Sequence, residues 1–211
     1  MGRYFKDEQV VLFQGDSITD CGRLIGIKPL GSGYAHRVAK LYDLLYPNHK
    51  VTFINKGISG NRVKDLLKRY DSDFKEIKPD FISILIGIND TWRKYDSNDE
   101  TSTESFYDDY KLLLSKIKED LPHCKIMIIE PFLLNSIPDR ARWREDLNPK
   151  ILAVRNLAKE FADYYLPLDG IYAKAEVEEY SCHELAEDGV HPTDLGHSIL
   201  AKEYLKVLGD L

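Results

Sequence analysis

Four short polar stretches of this sequence hold residues that can do chemistry together. Gly15-Asp16-Ser17-Ile18-Thr19-Asp20 offers a hydroxyl, and Gly87-Ile88-Asn89-Asp90 offers an amide and a carboxylate. Asn55-Lys56-Gly57-Ile58-Ser59-Gly60-Asn61 is a glycine-containing turn, and Asp188-Gly189-Val190-His191-Pro192 sets a carboxylate three residues before an imidazole. A serine hydroxyl is a poor nucleophile until a base takes its proton. A carboxylate against an imidazole fixes the tautomer and stabilises the imidazolium. Each stretch also has a plainer use. Ser17 could cap a helix, Asn89-Asp90 could begin one, Asp188-Gly189 could be a simple turn, and a lone His can be a surface group. What points to chemistry is the four in this order, each at a strand end or a helix start.

Those positions follow from the apolar pattern. Val10 to Phe13, Val51 to Ile54, Phe81 to Ile86, Lys125 to Ile129 and Tyr164 to Leu168 read as five short, almost fully apolar strands. Between them, apolar residues recur at helical spacing: Tyr34, Val38, Leu41 and Leu45; Val63, Leu66, Leu67 and Tyr70; Phe106, Tyr110, Leu113, Leu114 and Ile117. Thr101 and Glu104 have the spacing of a capping box. Asn148 followed by Pro149 reads as the start of a helix through Ile151, Val154, Ala158 and Phe161, and Thr193 as the cap of the last. Alternating apolar strands and helices predict a parallel sheet covered on both faces. The stretches Asp20 to Ser32 and Asn135 to Leu147 show no regular period, and long irregular loops in a compact domain are often functional. In an open sheet of this kind ligands bind outside the carboxyl ends of the strands, at the switch in strand order. With the order 2-1-3-4-5 the first three turns line one cleft.

Composition narrows the classes. The chain has 211 residues, 43% hydrophobic and 30% charged, which fits one domain over residues 1–211. A net charge of −6 argues against nucleic acid as the main partner. Met1 to Gln9 lacks the apolar run of a signal peptide, and Lys6 breaks the myristoylation pattern of a Met1-Gly2 start. No apolar run is long enough to span a bilayer, so no membrane association is expected. Three widely spaced cysteines, Cys21, Cys124 and Cys182, fit a reducing, cytoplasmic compartment. The histidines and cysteines show no HExxH or paired CxxC spacing, so neither metal nor cofactor is expected. Gly26, Gly31 and Gly33 lack the spacing and the Lys of a phosphate loop.

The four blocks, in this order and over essentially the whole chain, resemble those of the SGNH hydrolases, the GDSL esterase family, with Ile18 where the family name has Leu. The resemblance implies a flavodoxin-like three-layer α/β sandwich with a five-stranded parallel sheet in the order 2-1-3-4-5. It implies Ser17 as nucleophile, His191 as base and Asp188 as its orienting carboxylate. It also implies an oxyanion hole made of the backbone N–H groups of Ser17 and Gly60 and the side-chain amide of Asn89. Gly60 has no side chain, so a carbonyl oxygen can come close to its N–H. Thr19, two residues after Ser17, stands where the nucleophile elbow of the α/β-hydrolases has Gly.

Within the family, Gly15 to Arg23, Asn55 to Asn61, Gly87 to Asp96 and His191 to Ala201 look like bacterial acetylxylan esterases. The substrate expected on that basis is a small acetyl ester of a carbohydrate or oligosaccharide. Asp16, Asp20, Arg23, Trp92, Arg93 and Tyr95 are its candidate binding residues. Trp92 could instead merely pack the cleft wall, and Arg93 could pair with a neighbouring Asp. Arg140, Arg142, Trp143 and Arg144 are expected either at the far wall or in a subunit contact, which leaves a homo-oligomer open. Lysophospholipase or thioesterase activity is the alternative on the same residues. A non-catalytic sugar-binding protein is the alternative of another class.

Overall fold

The computed structural model describes residues 4–26 and 28–209, so Met1-Gly2 and Ile27 lie outside the described residues. Five strands form one parallel sheet: β1 (Val10–Gly15), β2 (Thr52–Asn55), β3 (Phe81–Leu85), β4 (Lys125–Ile129) and β5 (Tyr164–Leu166), in the order β2-β1-β3-β4-β5. The helices are α1 (Ser17–Asp20), α2 (Tyr34–Leu45), α3 (Val63–Lys68), α4 (Ile88–Asp96), α5 (Thr103–Asp120), α6 (Arg144–Phe161), α7 (Leu168–Glu178), α8 (Cys182–Leu185) and α9 (Asp194–Val207). A π-helical turn, Asp71–Lys75, follows α3, and a 3-10 turn, Pro138–Trp143, precedes α6.

Successive strand residues point to opposite faces of a sheet, and this alternation sorts the core into two layers. Val11, Phe13, Phe81, Leu85, Met127 and Ile129 face the layer built by α2, α7 and α9. Leu12, Ile82, Ile84, Ile126 and Ile128 face the layer built by α3, α5 and α6. Both faces are covered, which is why the strands read as unbroken apolar runs rather than as alternating ones. Parallel register sets Gly15 of β1 beside Leu85 of β3, and Phe13 beside Asn55 of β2. The chain leaves β1 for one edge and returns to β3 on its other side, so the switch in strand order falls between them.

Three local expectations need correction. The N-cap of α5 is Ser102, whose hydroxyl accepts from the Ser105 N–H at 3.1 Å, rather than Thr101. The Thr101 hydroxyl is engaged by Arg62 instead. Helix α6 begins at Arg144, so Pro149 lies inside it and Asn148 is not its cap. The 3-10 turn winds straight into α6, and Asp146 fastens the new first turn. It accepts from the Thr91 hydroxyl at 2.8 Å and pairs with the buried Lys150. Pro149 removes one helical bond, to the Glu145 carbonyl. Finally, β5 ends at Leu166, and helices α7 and α8 occupy a stretch to which the apolar pattern assigned no element. Helix α7 buries little beyond Leu168 and Tyr172. Thr193 does cap α9, accepting from the Gly196 N–H at 3.2 Å.

Candidate active site

The turn after β1 carries Ser17 on a single turn of helix. Asp16 caps it, with Oδ1 accepting the Ile18 N–H at 3.0 Å. Burial pushes the Asp16 carboxyl up to about 7, against the opposing pull of that bond and of nearby His191. The turn after β2 is pinned onto this helix by Asn55, whose Nδ2 donates to the Thr19 carbonyl at 2.6 Å while its Oδ1 accepts from the Gly57 N–H at 2.8 Å. Arg69 adds a second clasp, from Asn61 Oδ1 at 3.0 Å to the Lys56 carbonyl at 2.8 Å.

Ser17 Oγ lies 2.9 Å from His191 Nε2, and His191 Nδ1 lies 2.9 Å from Asp188 Oδ2. The second carboxylate oxygen accepts the backbone N–H of Val190 at 2.9 Å and of His191 at 2.7 Å. The turn closes this tightly because Gly189 has φ +81°, and a Cβ there would meet the Leu134 carbonyl oxygen at 2.3 Å. Burial works to raise the Asp188 carboxyl, but the bonds from the His191 imidazole and the two N–H groups hold it well below the usual carboxylate range. The same carboxylate raises His191 above the ordinary imidazole value, against burial and the charge of Arg140.

The other expected groups lie on the turns after β2 and β3. Asn89 lies buried in the first turn of α4, and its Nδ2 donates to the Asn61 carbonyl at 3.1 Å. A primary amide has two N–H donors, so this bond orients the group and leaves the second. Gly60 has φ +82° with nothing within 4 Å of where a Cβ would sit. The turns after β1, β2 and β3 therefore meet, as the strand order required.

The candidate binding residues divide. Trp92 lines the site, its ring centroid 5.8 Å from that of His191 and 5.2 Å from that of Trp143. Arg93 pairs with Asp96 on its own helix at 2.9 Å. The Tyr95 ring stacks on Trp143 at 5.4 Å, and its hydroxyl donates to the Arg142 carbonyl at 3.2 Å. Asp20 accepts from the Ser59 hydroxyl at 2.8 Å, and Arg23 Nε donates to the Gly57 carbonyl at 2.7 Å. These last two knit the first two turns together. Arg140 reaches the site and bonds Asp188, whereas Arg144 turns away to Asp169 at 2.8 Å. Arg140 is the residue whose part the motifs did not carry. Its only sequence signal was the irregular, arginine- and tryptophan-rich stretch that holds it. Among the described residues no group of three His, Cys, Asp or Glu is arranged to hold a metal ion, and no helix is long and apolar enough to cross a membrane.

A serine, an imidazole and a carboxylate in hydrogen-bonded sequence, beside the switch point of a parallel sheet, are the arrangement of an acyl-transferring hydrolase. Residues 13–199 match the GDSL-like lipase/acylhydrolase family. An acetylxylan esterase of Geobacillus stearothermophilus is 35% identical over 206 residues, 94% of this chain and 93% of that protein. A GDSL-like protein of Parabacteroides merdae superposes with a TM-score of 0.92 at 31% identity, over 98% of each chain. Solved structures of the Geobacillus esterase include catalytic mutants in which a serine, an aspartate and a histidine are each replaced by alanine. The histidine mutant superposes with a TM-score of 0.88 at 31% identity, covering 98% of this chain and 97% of that one. The chain belongs to the GDSL-like lipase/acylhydrolase family. It is a carboxylic ester hydrolase.

Proposed function

We propose that this esterase removes small acyl groups, acetyl above all, from carbohydrates such as xylo-oligosaccharides, through an acyl-enzyme on Ser17. The observation that carries the mechanism is the chain of contacts from Ser17 Oγ through His191 to Asp188, each link 2.9 Å. His191 Nε2 takes the hydroxyl proton as Oγ attacks the ester carbonyl. The tetrahedral oxyanion accepts from the N–H groups of Ser17 and Gly60 and from the Asn89 amide, donors fixed before the charge develops. His191 then returns its proton to the leaving sugar oxygen. A water, deprotonated by the same imidazole, releases the acid. In the Geobacillus mutants the aspartate and histidine are three positions apart, the spacing of Asp188 and His191, and this supports the assignment. Replacing Ser17 with Ala should abolish hydrolysis of a small aryl acetate, by several orders of magnitude. Full turnover in purified, folded Ser17→Ala would end the assignment.

The carbohydrate reading rests on the acetylxylan esterase relative and on Trp92, an indole beside the base that can take the flat face of a sugar. Long acyl chains need an extended apolar groove, at ~0.8 kcal/mol per methylene removed from water. Trp92→Ala should therefore cut kcat/KM for acetylated xylose units far more than for an aryl acetate, measured side by side. Equal losses on the two would reduce Trp92 to packing, and a rate that climbs with acyl length would favour a lysolipid or thioester substrate. The three free cysteines support a reducing, cytoplasmic setting.

A further inference from the structure

Arg140 belongs to none of the four motif blocks, yet it grips the site carboxylate from outside. Its Nη1 donates to the Asp188 backbone carbonyl at 2.6 Å and to Oδ2 at 3.0 Å. Oδ2 is the oxygen that also accepts from His191 Nδ1. The guanidinium carbon lies 4.4 Å from the Trp92 ring centroid and 5.0 Å from that of Trp143. The two indoles are themselves neighbours, their centroids 5.2 Å apart, so the flat cation rests against an adjoining pair of rings and is held by cation–π attraction, which a lysine reproduces poorly. With Arg140 in place, Asp188 has two donors on each oxygen: Val190 and His191 N–H on Oδ1, the imidazole and Arg140 on Oδ2. Four bonds fill the sites a carboxylate offers. The carboxylate plane is thereby fixed, and the imidazole that leans on it inherits the same orientation.

We propose that Arg140 is a positioning residue for ester cleavage, seated against the Trp92–Trp143 pair so that it holds the Asp188 carboxylate, and through it His191, in line with Ser17. This rests on the reading of Ser17, His191 and Asp188 as the reacting set. Arg140 also bears on the proton of the base. The charged and titratable groups facing His191 are Asp188 on its own turn, Asp16 from the β1 turn, Arg140 from the 3-10 turn and His197 from α9. Burial lowers His197 to about 4, so it is neutral at pH 7, and Arg140 is the cation of this set. Removing it takes away a repulsion on the imidazolium. The imidazole then holds its proton to higher pH, and the acid limb of the activity profile moves up.

The test measures kcat and KM for a small aryl acetate from about pH 5 to 9, with thermal melting, in the full-length Arg140→Met, Arg140→Lys and Ser17→Ala proteins. Arg140→Met should lose about tenfold to a hundredfold in kcat, the scale of a small misplacement of reacting groups. KM should change by less than about twofold, and the acid limb should rise. Arg140→Lys keeps the charge but not the planar fork, so its acid limb should stay parental while kcat remains below the parent. A folded Arg140→Met with parental kcat and acid limb overturns the proposal, as does a loss confined to KM or to the melting temperature. Should Arg140→Met fail to fold, Arg140→Lys decides: a lowered kcat supports the proposal and a parental one overturns it. Activity persisting in Ser17→Ala would topple the reading of the site itself. An inactive Ser17→Ala beside an unaffected Arg140→Met removes Arg140 alone.

Discussion

The two sides of the cleft are built in opposite ways. The Asp188–His191 side is local: acid and base share one turn, closed by Gly189 and by N–H groups within three residues of the carboxylate. The side that faces it is composite. Ser17, Gly60 and Asn89 come from the turns of three different strands, and their spacing depends on β1 lying between β2 and β3. Bonds between turns hold that side together, Asn55 to Thr19 and Asn89 to Asn61 among them. A local unit draws most of its bonds from its own turn, with Arg140 as the distant addition to them. A composite one exists only when the sheet has the right order.

Changing one group on each side sharpens that contrast. The largest effect is expected from Asp188→Asn. The amide keeps the shape of the turn but cannot accept the imidazole N–H as a carboxylate does, so the wrong tautomer faces Ser17. Loss of kcat on the order of 10⁴-fold is expected, as for the same change in another serine hydrolase, with the fold intact by circular dichroism. On the composite side Asn89→Ala should cost roughly 10²–10³-fold in kcat with little change in KM, because the proposed mechanism has the amide act on the oxyanion. A rise in KM at constant kcat would make Asn89 a ground-state binding group instead. The smallest effect is one of pH. On the proposed mechanism cleavage needs neutral His191, and Asp188 raises its proton affinity in the folded protein. Activity should therefore fall as pH drops through a midpoint above the ordinary imidazole value of about 6.5. A kcat/KM profile with its acid limb below that value would mean that burial outweighs the Asp188 bond.

The same contrast explains what could be read from the sequence. Acid and base sit three residues apart, so their partnership is visible as spacing. The meeting of the first three turns was legible through the five apolar strands and the topology they imply, and the sheet order bears that topology out, whereas the roles of Ser17, Gly60 and Asn89 came from the family resemblance. Arg140 was not legible as a partner of Asp188, because the two lie 48 residues apart and no periodic pattern relates a 3-10 turn to the turn before α9. Arg93 and Tyr95 neighbour Trp92 along the chain, and helical geometry brings Arg93 to Asp96, with its guanidinium carbon 5.7 Å from the Trp92 centroid, and the Tyr95 ring to Trp143. The start of α6 was missed because Asn148-Pro149 carries a start signal, while the bonds that extend the helix to Arg144 come from Thr91 and Lys150.

Helix α9 has a consequence in time as well as in space. It packs beside α2 over the same face of the sheet, and the two are joined by Arg37 and Asp194 at 2.6 Å. Ser17 and His191 are 174 positions apart. At about 5–20 residues per second on a ribosome, roughly ten to thirty-five seconds separate the making of the hydroxyl from the making of its base. Over that interval Phe13, Phe81 and Met127 wait for the helix that will cover them, whereas the face under α3, α5 and α6 is furnished earlier, by segments lying between the strands they cover. Helix α9 and the turn before it, which carries His191, thus arrive together, after every strand of the sheet they cover has been made.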